Sequence, residues 1–220
     1  DLQDTSTTKT TQAGLYAGQS FGRWHVSASA SGAHMGFKTT RPTVSGTAQA
    51  DFKGYGGFAN LEAAYEIPIS KDWALSPSVG LEGAALRHEG YRENGAGVLN
   101  LAVGSQTTTQ LKSILGLGLS GDYSVQDRLN LKPTLRIGWA HEFADRSADT
   151  SASFTAAPFI AFQGTGPEKS RDEARLHLDL MARSLESAND YDLSAYAAYD
   201  GVLASTHQNH AITAGLKFKW

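Results

Sequence analysis

Cysteine is missing from all 220 positions of this chain, which excludes a disulfide scaffold and any cysteine-ligated metal while leaving the redox compartment open. Long apolar runs are missing too. No stretch of 18 or more apolar residues occurs, so a transmembrane helix is excluded. A β-barrel is not, because its strands alternate lipid-facing and interior-facing residues and dilute the apolar signal to about half of each segment. There is no basic cluster, and 19 Lys and Arg against 22 Asp and Glu leave a net charge of −3, which argues against a nucleic-acid partner. The opening residues Asp1-Leu2-Gln3-Asp4 have neither a basic start nor an apolar core. No secretory leader reads there, so the chain is either cytosolic or a mature fragment. No break in composition marks a linker, and positions 1–220 read as one domain.

What the chain does have is alternation. At its end Ile212, Ala214, Leu216, Phe218 and Trp220 alternate with Thr213, Gly215, Lys217 and Lys219, and a period of two argues a strand. An apolar edge of this length is a liability in water. It is explained if that face meets lipid. The same pattern recurs upstream: Trp24, Val26, Ala28 and Ala30 against His25, Ser27, Ser29 and Ser31; Leu61, Ala63 and Tyr65 against Asn60, Glu62 and Ala64; Trp73, Leu75, Val79 and Leu81 against Ser76, Ser78 and Glu82. It continues with Leu115, Leu117 and Leu119, and with Leu131, Leu135, Ile137 and Trp139 against Lys132, Thr134, Arg136 and Gly138.

Turn chemistry divides these segments. Phe21-Gly22-Arg23, Pro68 to Asp72 and Asp127-Arg128 are short; Thr39 to Gly46 is a turn, and Arg87 to Gln110 is long, polar and rich in glycine. Long and short connections therefore alternate, as in barrels with short turns at one end and longer loops at the other. Trp24 and Trp73 follow short turns, where an aromatic girdle would sit, and Trp139 is placed with them. The segment before Thr11 reads as a loop or a strand end. Pro167 to Asn189 is open between two readings: Ala174, Leu178, Met181 and Leu185 fit helical spacing, while Leu176, Leu178 and Leu180 alternate with Arg175, His177 and Asp179.

The terminal pattern Thr213-x-Gly215-x-x-Phe218-x-Trp220 resembles the C-terminal assembly signal of bacterial outer-membrane proteins. Gly14 to Gly18, Phe21 to Trp24, a turn at Phe37 to Arg41, Gly95 to Val103 and Trp139-Ala140-His141-Glu142-Phe143 follow in the order seen in autotransporter β-domains. The resemblance runs from about Ala13 to Trp220. It implies an all-β, antiparallel transmembrane barrel in a bacterial outer membrane, acting as a translocator that anchors and exports an N-terminal passenger. It implies three partners: the lipid bilayer, the outer-membrane barrel assembly machinery, and the covalently attached passenger. It also favours the strand over Pro167 to Asn189. About ten strands are expected here against twelve in the family, so two strands and a linker helix, on the order of 50 residues, are expected upstream. The alternative of another class is a small porin or adhesin barrel that binds ligands through its loops, which an upstream passenger frame would exclude. A soluble ligand-binding barrel, a third reading, would bury its apolar residues inside.

No catalytic residue, cofactor or metal is assigned. Gly18-Gln19-Ser20-Phe21-Gly22 matches a nucleophile-elbow pattern, but a strand follows it where a helix is needed. Gly116 to Gly121 matches a dinucleotide fingerprint and likewise lacks its helix. His207 and His210 are two imidazoles in a turn with no third ligand beside them. If the polar faces share one lumen, they line it with Glu62, Glu82, Lys132, Arg136, Glu142 and Arg175, among others. Both signs are mixed there, which suits a hydrated path for a polypeptide better than an ion-selective ring; the same charges could equally serve only to pair across the barrel.

Overall fold

Small, β-branched and aromatic residues in strict alternation suit a pleated surface whose two sides meet different surroundings. A computed structural model, which describes residues 3–126, 128–145, 147–185 and 192–219, is accordingly almost all strand. The first strands are β1 (Thr5–Phe21), β2 (Trp24–Thr43), β3 (Gly46–Tyr65), the two-residue β4 (Ile67–Pro68), β5 (Trp73–His88) and β6 (Tyr91–Arg92). A single 3-10 turn, Gly97–Leu99, precedes β7 (Leu101–Val103), β8 (Gln106–Gly121), β9 (Tyr123–Val125) and β10 (Leu129–Glu142). Then come β11 (Asp149–Phe154), β12 (Ala157–Thr165), β13 (Asp172–Ser184), β14 (Asp192–Ala204) and β15 (Gln208–Lys219). No helix is long and apolar enough to cross a membrane.

The principal sheet runs β1-β2-β3-β5-β8-β10-β13-β14-β15, each long strand antiparallel to its sequence neighbour in the sheet, with β4 and β9 extending the ladders of β5 and β10. Short turns close one end of it. At Gly22-Arg23, Gly22 has φ of +61°, the conformation a two-residue hairpin loop asks of its first residue. The other end carries the long connections, and there β6, β7, β11 and β12 form a second sheet in the order β12-β11-β7-β6.

The burial pattern is inverted relative to a water-soluble domain. The only buried hydrophobic residues among those described are four alanines, Ala48, Ala50, Ala96 and Ala140. Leu15, Leu61, Val79, Leu115, Leu117, Ile137, Leu180, Ile212 and Phe218 are all exposed, and the register puts every one of them on the same, outer side. A sheet with this much apolar surface turned outward is stable only in a solvent that is itself apolar.

The long strands number nine where about ten are expected, and several local expectations are corrected. Of the two readings of Thr5 to Thr11 the strand end holds: it pairs residue for residue with His34 to Thr40, its polar character reflecting a strand that continues past the apolar band into water. Phe37 to Arg41, expected to turn, lies within β2 for the same reason. Arg87 to Gln110 is not one long loop; it holds the end of β5, β6, the 3-10 turn, β7 and the start of β8. The contested stretch is a strand over Asp172–Ser184, since pairing with β10 and β14 on both sides outweighs its helix-forming composition.

Candidate functional site

The other side of the sheet is polar and concave. Arg175 on β13 donates to Glu82 on β5 at 2.9 Å, although β8 and β10 stand between them. Strands lie about 4.8 Å apart, so three intervals place these backbones about 14 Å apart on a flat sheet. Side chains stand nearly upright on their strands. The contact therefore requires the sheet to curl toward this face. Arg136 on β10 likewise comes within 4.0 Å of Glu62 on β3, again three strands away.

Around Arg175 the charges form one network. Its guanidinium also donates to Glu173 at 3.2 Å, Lys112 donates to the other oxygen of Glu173, and Gln110 donates to Glu82 at 3.2 Å. Lys112 and Glu173 are buried, and a buried charge persists only when it is paired and hydrogen-bonded. Alternation along β13 had brought out Arg175 and not Glu173 two residues before it. Lys112 was missed because the strand was expected to start only at Ile114.

Each expected wall residue has a definite place. Glu62, Glu82, Arg136 and Arg175 belong to the concave network. Lys132 faces the same way near the short-turn end, where it donates to Asp122 at 2.7 Å. Glu142 is fully buried and accepts from the backbone N–H groups of Leu111 (2.8 Å) and Ala144 (2.9 Å). Through Oε1 it ties β8 to the end of β10, and it is buried rather than open on the concave face.

On the convex face Trp24 packs on Tyr65 with ring centroids 5.0 Å apart, and Trp73 lies against Tyr123, both pairs at the short-turn end. Trp139 lies ten residues up β10 from Leu129, about 25 Å higher for a strand tilted near 40°. Its indole donates to Asp172 at 3.0 Å. That separation is about the height of the apolar band of an outer-membrane barrel. Of the terminal pattern, Thr213 and Gly215 face inward and Phe218 outward; Trp220 lies outside the described residues. The ring of Tyr196 covers Gly215 so closely that a Cβ there would come within 2.6 Å of it.

The sequence motifs weighed for chemistry do not assemble a site. Ser20 Oγ lies 2.8 Å from His25 Nδ1, and His25 Nε2 lies 3.5 Å from Glu66. The line is open to solvent on a hairpin rather than held on a strand-to-helix elbow. His207 stands 3.8 Å from Glu173, whereas His210 bonds Tyr199, so the two imidazoles have separate partners. Among the described residues no group of three His, Cys, Asp or Glu could hold a metal.

At the long-loop end the 89–105 connection folds onto the inner side of β2 and β3. Arg41 donates to Glu93 at 2.5 Å and to the carbonyl of Leu99 at 2.9 Å, and Phe52 stacks on Tyr91 with centroids 4.2 Å apart. Burial, reinforced by the Glu93 carboxylate, holds the Tyr91 phenol protonated above the usual range.

The sequence profile of the autotransporter beta-domain matches residues 1–200. The extracellular serine protease of Serratia marcescens is 25% identical over 229 residues, a match spanning 100% of this chain and 20% of that protein; the chain thus spans about a fifth of this curated relative. Two solved structures share the fold. The translocator domain of the autotransporter NalP from Neisseria meningitidis superposes with a TM-score of 0.62 at 19% identity, covering 98% of this chain and 68% of that one. The beta domain of the Bordetella autotransporter Brka superposes with a TM-score of 0.61 at 16% identity, covering 98% of this chain and 75% of that one.

Proposed function

This chain belongs to the autotransporter β-domain family, and from that premise we propose that it walls the conduit through which a covalently attached N-terminal passenger reaches the cell surface. Its place is the bacterial outer membrane, where it acts as the translocator and anchor. The observation that carries this reading is the inverted distribution of residues: among those described, alanines alone in the buried apolar set, leucines outside, and ion pairs spanning three strands inside. A polypeptide in transit presents changing side chains to the wall. A hydrated lining with both signs internally paired offers it no strong binding site.

The domain works by holding this wall open and fixed, so no catalytic step is assigned to its residues. Glu62, Glu82, Lys132, Arg136 and Arg175 line the lumen. Trp24, Trp73 and Trp139 sit at the two interfaces with lipid, and Thr213, Gly215, Phe218 and Trp220 present the last strand to the barrel assembly machinery. The edges β1 and β15 both run from the long-loop end to the short-turn end, and among the described residues neither pairs with the other. Further strands complete the barrel between them. The test is to delete residues 1–220 from the full-length protein and probe intact cells with protease. Loss of the passenger from the surface is expected, and an undiminished surface signal would overturn the reading.

A further inference from the structure

The outer face is not uniform around the sheet. On β8 and β10 it carries Leu115, Leu117, Leu135 and Ile137 across the width of the band. On β2 and β3 the outward positions above Val26 and Ala63 are Ala28, Ala30, Gly32, Gly57 and Ala59, with Leu61, opposite Ala28, as the one large side chain at their lower edge. The result is a smooth, shallow wall. His34 and Tyr55 pack edge to face at its upper limit, with ring centroids 5.3 Å apart.

Directly above that wall stand the first charged residues met on the outside of these strands. Lys9, Lys38 and Lys53 point outward from β1, β2 and β3 around Gly36, which pairs with Lys9 on one side and Lys53 on the other. Gly36 leaves a notch: a Cβ there would meet nothing within 4 Å. Lys38 shares an exposed contact of 3.3 Å with Asp51. Lys9 and Lys53 have no carboxylate partner among the described residues, although Glu89 follows Lys53 across the ladder through a backbone bond. Twelve residues separate Lys53 from Tyr65 and Lys9 from Phe21, which sets the lysines about 30 Å above the short-turn girdle and so at the outer headgroup level.

We propose that this notch, with the small-residue wall beneath it, is a binding site for a phosphate-bearing lipid of the outer leaflet. The phosphate sits among the ammonium groups of Lys9, Lys38 and Lys53, and the acyl chains lie along Ala28, Ala30, Gly32 and Ala59. Lys9 and Lys53, with no carboxylate partner among the described residues, are the cations at headgroup height that draw anionic lipid, and Lys38, beside Asp51, adds the third ammonium, while a flat wall lets chains pack without displacing side chains. The site rests on the outward assignment of the apolar face, and it goes beyond the conduit, which lies on the opposite side of the sheet.

The test is native mass spectrometry of the full-length protein in detergent doped with diphosphoryl lipid A. The comparison proteins are the Lys9→Gln/Lys38→Gln/Lys53→Gln triple variant, Gly36→Leu, which fills the notch, and Lys71→Gln at the short-turn end. Retained lipid is expected to fall by at least about tenfold in the triple variant, to fall in Gly36→Leu, and to stay at the wild-type level in Lys71→Gln. Dephosphorylated lipid is expected to bind the wild type no better than it binds the triple variant, and millimolar inorganic phosphate should leave the lipid A adduct in place. Heat-modifiable migration in electrophoresis confirms that each variant is folded. Equal retention by wild type and triple variant, equal retention of dephosphorylated lipid, or an equal loss in Lys71→Gln would each overturn the proposal.

Discussion

A single side chain in this fold is judged by which solvent its face meets. Leu117 points outward from the middle of β8, so Leu117→Arg would put a guanidinium into hydrocarbon at a cost of about 2–4 kcal/mol near the bilayer midplane. Ser27, inward on β2, pairs with Glu62, and Ser27→Arg should be nearly neutral. Folding into lipid vesicles under a denaturant gradient would rank the two, and a larger loss for the serine variant would invert the assignment of faces. Arg175 shows the other rule. It lies between Glu82 and Glu173, so Arg175→Met leaves Glu82 with only the Gln110 amide and Glu173 with Lys112 and the more distant His207 and should lower stability by about 3 kcal/mol, while adding Glu82→Gln should restore part of the loss. Equal stability of the single variant and the wild type in the same assay would reduce the network to a solvated surface.

At the scale of the strand, position in the ladder decides what a residue pattern means. Alternation was legible wherever one face meets lipid, as in β10, where Leu131, Leu135, Ile137 and Trp139 oppose Lys132 and Arg136. Where a strand rises clear of the membrane both faces meet water and the pattern vanishes. That is why Thr5 to Thr11 reads only as a loop or a strand end, and Phe37 to Arg41 as a turn, although both are fully paired. The second sheet was illegible for a related reason: β7 and β11 are three and six residues long and depend on each other across 50 positions of sequence. The concave network was half legible, because Arg175 and Glu82 belong to visible alternations while their meeting depends on curvature that no local pattern records. The last strand carries its own prediction. Phe218 faces outward beside Leu193, and replacing Phe218 and Trp220 together by Ala should cut outer-membrane levels in cells while leaving refolding in detergent largely intact. Normal levels in a fractionated membrane blot would remove the case for an assembly signal.

At the scale of the molecule, strand direction constrains closure more tightly than strand count. Nine long antiparallel strands leave β1 and β15 running in the same direction, so these edges cannot join each other in an antiparallel barrel. An odd number of further strands between them would allow antiparallel closure. Three would give the twelve implied by the family resemblance. Without those strands, two rows of backbone N–H and C=O groups would face hydrocarbon, each unsatisfied group costing several kcal/mol. Residues 1–220 expressed alone should therefore insert poorly or aggregate. A form extended upstream by three strands should run as a heat-modifiable, protease-resistant monomer, and a form extended by two should not, because it leaves the parity unchanged relative to the bare chain. Disulfide trapping reads the seam directly: cysteines placed on β15 and on the first upstream strand should cross-link, and cysteines at Leu15 and Ile212 should not. A stable protease-resistant barrel formed by the 220 residues alone, with Leu15 and Ile212 cross-linked, would sink this account of closure and favour a smaller pore.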